Sequence, residues 1–389
     1  MTARRLAIVV THPIQHFVPF YRALAAEPGI DLHVLFGAPI GVKPYFDAEM
    51  NTEIAWKMDM LGGYAHEFLD RREGLTVSFS TPDAPQLGTR LAAFAPDAVL
   101  IYGYAQRNAL RALWWANRHR VPAIIISDSE LLAERSALKL LVKFVVVRLL
   151  FRRFAAFLSV GDNNERYYRS YGAPANRIFR SPFTIDEPTY RAAAANRVAL
   201  RSRMRAEHGI CEEEKVLLFV GKLSPRKRPG DLLAALRRLP AGYRAVFAGN
   251  GDQLESLRAE AEEENLPALF LGFVNVDALP SVYAAADVLV HPSQADPHPL
   301  ICSEAACIGL PMVLSDRVGA VGPTDIARDG ANSRVFPCGD TRALAETILS
   351  VFTADRANGM AARSRHIFDE LDLRRSIAGL TSAIDAVVN

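Results

Sequence analysis

The chain has little cysteine. Four occur in 389 residues (Cys211, Cys302, Cys307 and Cys338), and no two form a C-x-x-C pair. This excludes a disulfide framework and a cysteine zinc site, and it fits a reducing compartment. Net charge is nearly absent: 45 Lys and Arg stand against 43 Asp and Glu, leaving +2. A phosphate-backbone partner calls for a strongly basic surface, so nucleic acid is not expected. Long apolar runs are missing as well. No stretch of about 18 uncharged apolar residues occurs, so no spanning helix is predicted. The start, Met1-Thr2-Ala3-Arg4-Arg5, leads directly into a strand-like run and lacks the apolar region of a signal peptide. Solenoid-period repeats and low-complexity tails are also absent. What remains is 50% hydrophobic and 23% charged, the composition of a soluble globular protein. A cytoplasmic location is the expectation.

Such a length exceeds what one core usually serves, so two domains are predicted. In the first half, strands are expected at 6–10, 31–36, 98–102, 123–127 and 157–160. Helices are expected at 17–25, 87–94, 108–118, 136–151 and 163–171. Residues 37–80 resist placement, with Gly62-Gly63 marking a turn. Residues 182–205 interrupt the pattern and read as a hinge. The alternation then resumes, with strands at 216–220, 244–248, 268–271, 288–290 and 312–314. Its helices fall at 230–238, 253–264 and 276–285, and two more close the chain at 341–352 and 373–388. Strands alternating with helices imply α/β architecture, a parallel sheet with helices on both faces.

Residues 287–315 organise the second half. A short apolar run breaks at His291-Pro292-Ser293. A loop containing Asp296, Pro297 and Pro299 follows, then a helical segment closed by Gly309 and Pro311, then another apolar run. The loop therefore lies at a strand's C-terminal end and feeds a helix N-terminus. Parallel sheets bind ligands there, and helix N-termini favour anions. Glu304 falls inside the helix among apolar neighbours, where a carboxylate needs hydroxyls or a cation. Sugar or ribose hydroxyls would serve, and so would a nearby Arg. A second strand end, Val220-Gly221-Lys222, precedes Arg226-Lys227-Arg228. Such cations are usually just solvated, but this position suits a phosphate chain. The turn Gly249-Asn250-Gly251 does not complete G-x-G-x-x-G, because Leu254 holds the third site. It serves either a close ligand approach or a plain strand-to-helix turn.

Four stretches now fall in order: Phe219-Val-Gly-Lys-Leu-Ser-Pro-Arg-Lys-Arg-Pro229, Phe247-Ala-Gly-Asn-Gly251, Phe270-Leu-Gly-Phe-Val274 and residues 287–319. Together they resemble the donor-binding domain of retaining glycosyltransferases of family 4. The run from Thr11 to Leu24 is similar to the first strand-loop-helix of some members. The resemblance implies the GT-B fold, two Rossmann-like parallel-sheet domains facing a cleft. It implies an acceptor domain at 1–190, a donor domain at 191–365, and a terminal helix, 366–389, packing back on the first domain. The substrate implied is a UDP- or GDP-sugar, with no further cofactor and no metal. The acceptor implied is a hydroxyl on a glycan, a lipid-linked saccharide or a small molecule.

Residue by residue, Lys222 and Lys227 match the family's basic pair and should hold the diphosphate. Asp296 and Glu304 match its carboxylate pair, the first meeting the donor sugar and the second the ribose. Lys222, Lys227 and Asp296 are thus the catalytic candidates. Phe273 and Val274 fall where backbone groups meet the base. Gly221, Asn250, His298, Pro299, Leu300 and Ile301 complete the donor site. The departures are specific. Lys222 replaces Arg and loses bidentate geometry. Asp296 replaces Glu and is one methylene shorter. Pro299 stands where Gly is common and removes an N–H, for which His298 is the substitute donor. Tyr102-Gly103-Tyr104 occupies the place of a histidine, and His12-Pro13-Ile14 replaces a glycine-rich loop.

On the acceptor side the candidates are His12, His16, Tyr104 and Asp128. Asp128-Ser129-Glu130 resembles a metal-binding Asp-x-Asp, but such a triplet arises easily by chance. Residues 136–157 carry Lys139, Lys143, Arg148, Arg152, Arg153 and no acid. At 100° per residue these cations fall on opposite sides, which favours a structural helix. Peripheral contact at the inner face of a membrane is the alternative. Two other functions remain open from sequence: a sugar-nucleotide epimerase on the same plan, and a sugar-nucleotide-binding protein of weak turnover.

Overall fold

A computed structural model describes residues 3–72, 74–132, 137–353 and 356–388. Ser136, where a helix was expected to start, lies outside the described residues, as does the Lys139 side chain. The chain forms two units. One comprises Met1–Tyr45, Met58–Ile185 and Asp372–Asn389, the other Phe46–Lys57 and Asp186–Leu371.

The strands of the first half are β1 (Arg4–Val10), β2 (Ile30–Phe36), β3 (Tyr45–Asp47), β4 (Thr52–Ile54), β5 (His66–Phe68), β6 (Ala98–Tyr102), β7 (Ala123–Ser127), β8 (Ala156–Ser159) and β9 (Ile178–Arg180). β3 and β4 form a separate two-stranded sheet. The others form one sheet in the order β5-β2-β1-β6-β7-β8-β9, parallel at every pairing. β1 shows why the sheet needs two covers. Leu6, Ile8 and Val10 pack on one face with Tyr21 and Leu24 of the helix Val18–Ala26. Ala7 and Val9 pack on the other with Leu91 and Ala112. Alternate residues face opposite ways, so a strand covered on both sides reads as a continuous apolar run. Leu380 and Ile384 of the terminal helix Leu373–Val387 complete the first of these cores.

The second unit repeats the plan with β10 (Lys215–Val220), β11 (Tyr243–Ala248), β12 (Ala268–Gly272), β13 (Val288–His291), β14 (Met312–Ser315) and β15 (Ser333–Phe336). Its order is β12-β11-β10-β13-β14-β15, again parallel throughout. The chain steps outward from β10 to β12, then returns to β10's other flank as β13. Strand order therefore reverses between β10 and β13, and the ends of these two strands bound a crevice suited to ligands. Two Rossmann-like parallel sheets are thus the observed architecture.

The expected hinge at 182–205 contains the unit boundary but is largely helical. The unit boundary lies between Ile185 and Asp186, and two helices follow, Glu187–Ala195 and Arg197–Glu207. Pro188 sits in the first turn of the former, where a missing N–H costs nothing. Residues 37–80, unplaced from sequence, contain β3, β4 and β5. β9, β15 and the helix Arg356–Glu370 were also unforeseen. Residues 366–389 are not one helix. Arg356–Glu370 belongs to the second unit, and the Asp372 side chain caps a new helix by accepting from the Arg374 amide at 3.0 Å.

Arg205 anchors the second sheet. It is 1% exposed, and its guanidinium donates to Asp287 Oδ2 at 2.8 Å and to the carbonyls of Cys211 (2.8 Å) and Glu212 (3.0 Å). Asp287 also accepts from the Val216 amide at 2.8 Å, so one carboxylate joins the start of β10 to the start of β13. Arg205→Ala would remove the buried guanidinium and its carbonyl bonds and leave Asp287 with Arg201, 2.9 Å away, as its cation. A loss of about 3–5 kcal/mol is expected in urea unfolding; a loss under about 1 kcal/mol contradicts this anchoring role.

Candidate functional site

The loops after β10 and β13 are tied together. The Gln294 amide donates to the Arg226 carbonyl at 3.0 Å, and the Arg226 guanidinium donates to the Ala295 carbonyl at 2.8 Å. Two glycines permit the packing around them. A Cβ on Gly249 would lie 1.8 Å from the Gly221 carbonyl oxygen, and one on Gly319 would lie 1.9 Å from that of Pro297. No real side chain tolerates such distances. The Gly249-Asn250-Gly251 turn therefore has a packing role, and Asn250 uses its side chain to accept from the Gly251 amide at 2.8 Å.

These loops bring Lys227 and Asp296 into a buried ion pair. His291, the last residue of β13, completes the cluster with Nε2 at 2.7 Å from Asp296 Oδ2. Burial would raise the Asp296 carboxyl, but His291 and Lys227 outweigh it and hold the group well below the usual carboxylate range. Burial pulls Lys227 below the ordinary lysine value, against the opposing pull of Asp296. It also lowers His291, so the ring is neutral and Nε2 is the donor to the carboxylate. His291 Nδ1 is buried and has no hydrogen-bond partner among the described residues. Sequence reasoning passed over His291 as the point where a strand breaks. Its signal was a polar residue at the end of an apolar strand, five positions before Asp296.

Lys222 meets an unforeseen partner. Its Nζ lies 3.1 Å from both Asp47 oxygens and 2.8 Å from Glu49 Oε2. Burial opposes its charge, yet Glu49 and Asp47 hold the ammonium above the usual lysine value. The 46–57 segment has two further anchors. Trp56 packs edge-on against Phe273, with ring centroids 6.1 Å apart. The Asn275 side chain donates to the Ala55 carbonyl at 2.6 Å and accepts from the Lys57 amide at 3.2 Å. The segment thus covers two positions assigned to the donor, Lys222 and Phe273. Val274, next along, is half-buried.

The helix Leu300–Ile308 starts after Pro299, and no side chain caps its first-turn amides among the described residues. Leu300 and Ile301 are half-buried there, at an end that favours an anion. One turn on, Glu304 Oε2 accepts from the Tyr283 hydroxyl at 2.6 Å. Tyr190 bonds to the same carboxylate. Burial raises Glu304 against both hydroxyls. The Arg considered as a structural partner is thus replaced by two tyrosines. His298 Nε2 lies 3.1 Å from buried Asp325 Oδ1.

In the first unit, strand order reverses between β1 and β6, and the acceptor-side candidates lie just past strand ends. Thr11 Oγ1 is 2.9 Å from His12 Nδ1. Burial lowers His12 to about 4 and, with help from His12, lowers His16 to about 3. Both rings are neutral at pH 7. His16 Nε2 is buried without a partner among the described residues, and its ring packs on Phe17 and Phe183. Tyr104 and Asp128 line an open groove of about 830 Å³ at the ends of β6 and β7, with Ser127, Lys143 and Val146. The Tyr104 hydroxyl bonds to that of Tyr167. Among the described residues, no group of three His, Cys, Asp or Glu side chains is arranged to hold a metal ion.

Residues 201–366 match the family described as glycosyl transferases group 1. The uncharacterised glycosyltransferase MJ1607 of Methanocaldococcus jannaschii is 36% identical over 115 residues, 28% of this chain and 30% of that protein. The D-inositol 3-phosphate glycosyltransferase of Mycolicibacterium smegmatis is 31% identical over 174 residues, 43% and 39% of the two chains. The one from Geodermatophilus obscurus is 30% identical over 246 residues, 59% and 51%. The chain therefore spans only 30% to 51% of the length of these curated relatives. Solved structures align along nearly the whole chain. Anabaena Alr3699/HepE in complex with UDP and glucose gives a TM-score of 0.68 at 18% identity, covering 97% of this chain and 99% of that one. WaaG, a glycosyltransferase involved in lipopolysaccharide biosynthesis, gives 0.65 at 17% identity, covering 99% and 100%. At such identities the likeness establishes the fold: the chain has GT-B architecture, and its residues 201–366 match the group 1 glycosyl transferases.

Proposed function

We propose that this chain is a glycosyltransferase that moves a sugar from a nucleoside-diphosphate sugar to a hydroxyl acceptor. The observation that carries this reading is the buried Lys227–Asp296–His291 cluster. It stands at the second sheet's reversal point, where the loop after β10 meets the end of β13 and the loop that feeds the uncapped helix Leu300–Ile308. The match of residues 201–366 supports it, as do the names of the relatives and the UDP-glucose complex of the Anabaena protein.

In this reading the bond between the anomeric carbon and the diphosphate oxygen breaks, and its electron pair leaves with the diphosphate. Lys222, Lys227 and the amides of Leu300 and Ile301 neutralise the growing charge from fixed positions, with no metal required. The ionised Asp296, oriented by His291, receives hydroxyls of the donor sugar. Glu304 meets the ribose and Phe273 and Val274 the base, UDP or GDP. The acceptor hydroxyl, on a glycan or a lipid-linked saccharide, supplies the oxygen of the new bond, and its proton passes to the departing diphosphate oxygen. His12, His16, Tyr104 and Asp128 are assigned to its side. Retention of configuration follows from the resemblance to family 4. A second reading, a sugar-nucleotide-binding protein of weak turnover, draws on one observation. Both lysines already carry carboxylate partners, so a diphosphate must displace them.

Two measurements follow. With UDP- and GDP-sugars, Lys227→Ala is expected to lower donor hydrolysis or transfer about 10²-fold, with native circular dichroism retained. Near-normal turnover contradicts the assignment. The double variant Asp47→Asn/Glu49→Gln releases Lys222 and is expected to tighten UDP binding by about three- to tenfold in titration calorimetry. Unchanged or weaker binding means that the 46–57 segment does not compete with the diphosphate.

A further inference from the structure

The helix Ala137–Phe151 is apolar on the side that faces water. Val147 and Phe151, one turn apart, are its buried anchors. Lys143, a turn earlier, lays its amino group over the Tyr167 ring at 4.7 Å. On the other side Leu141 is 61% exposed, Val142 57%, Val145 49%, Val146 57% and Leu149 55%. At 3.6 residues per turn these five share an arc of about 140°, centred opposite the two anchors. Soluble helices present polar side chains there, and a contiguous exposed apolar face marks a contact surface. The face extends beyond this helix. Trp114, 68% exposed, lines a groove of about 480 Å³ with Leu150, Arg118 and Arg153.

The surrounding charge identifies the occupant. Arg148, Arg152 and Arg153 are exposed, as is Arg118. Residues 137–161 contain no Asp or Glu. A second copy of the chain would bring like charges together. A negatively charged lipid surface would meet the arginines with its headgroups and the valines and leucines with its acyl boundary. Trp114 has the amphipathic ring that settles at such interfaces. No helix among the described residues is long and apolar enough to cross a membrane, so the contact is peripheral. We propose that this face seats the first unit on an anionic lipid surface. The inference does not depend on the transfer reading.

Flotation of the purified protein with phosphatidylcholine vesicles, with and without phosphatidylglycerol, tests it. The protein is expected to float with the anionic vesicles, less with neutral ones, and less again at high salt. Combining Val142→Ser, Val145→Ser and Leu149→Ser should weaken binding at least about tenfold, with circular dichroism and UDP binding unchanged. Combining Arg148→Gln, Arg152→Gln and Arg153→Gln should remove the preference for anionic vesicles. Three results would overturn the proposal: no flotation with anionic vesicles, undiminished flotation of the serine variant, or self-association in light scattering that the serine variant abolishes while flotation is absent.

Discussion

One buried ion pair sets the demands on the second unit. Lys227 and Asp296 come from different loops, and both are removed from most solvent. Two charges in that position are costly unless each is well partnered. The structure supplies the partners. His291 donates to the carboxylate, and main-chain and guanidinium bonds join the two loops. Gly249 and Gly319 allow neighbouring backbone to close in. Behind them, Arg205 and Asp287 fix the starts of the strands whose far ends carry the pair. The charges persist because the whole sheet end is built around them.

This arrangement also tempers the donor reading. Lys222 and Lys227 are poised cations, yet each is neutralised, one by Asp47 and Glu49 and the other by Asp296. In that reading an arriving diphosphate would exchange one set of anions for another. Its affinity then depends on how readily the 46–57 segment yields, as well as on the lysines themselves. Asp296 sits within reach of His291 and stays ionised.

Much of the fold was legible in sequence because strands covered on both faces leave continuous apolar runs. The strands at 98–102 and 123–127 and the helix at 87–94 were read to the residue. β9 and β15, of three and four residues, were not legible: Ile178-Phe179-Arg180 and Ser333-Arg334-Val335-Phe336 lack the unbroken apolar run that marks the equally short strands at 288–291 and 312–315. The places of Gly221, Lys222 and Lys227 after one strand, and of Asp296 and Glu304 after another, were legible because motif and strand end coincide. The site was not legible where partners come from distant sequence. Asp47 and Glu49 lie more than 170 positions from Lys222, and Tyr190 and Tyr283 are on helices separate from Glu304. The Asp325 partner of His298, 27 positions on, could not be foreseen either. The 137–151 helix shows the opposite limit. Its apolar residues fall on every side and its cations on opposite ones, so only the structure tells which face is buried and which is left to solvent.

The most direct test of the donor account is a crystal structure of the protein soaked with UDP. The account predicts that the diphosphate lies within hydrogen-bonding distance of Lys227 Nζ and of the first-turn amides of the helix Leu300–Ile308, with Lys222 turned from Asp47 and Glu49 toward it. A diphosphate bound elsewhere, or bound with both lysines still in their present ion pairs, would contradict it.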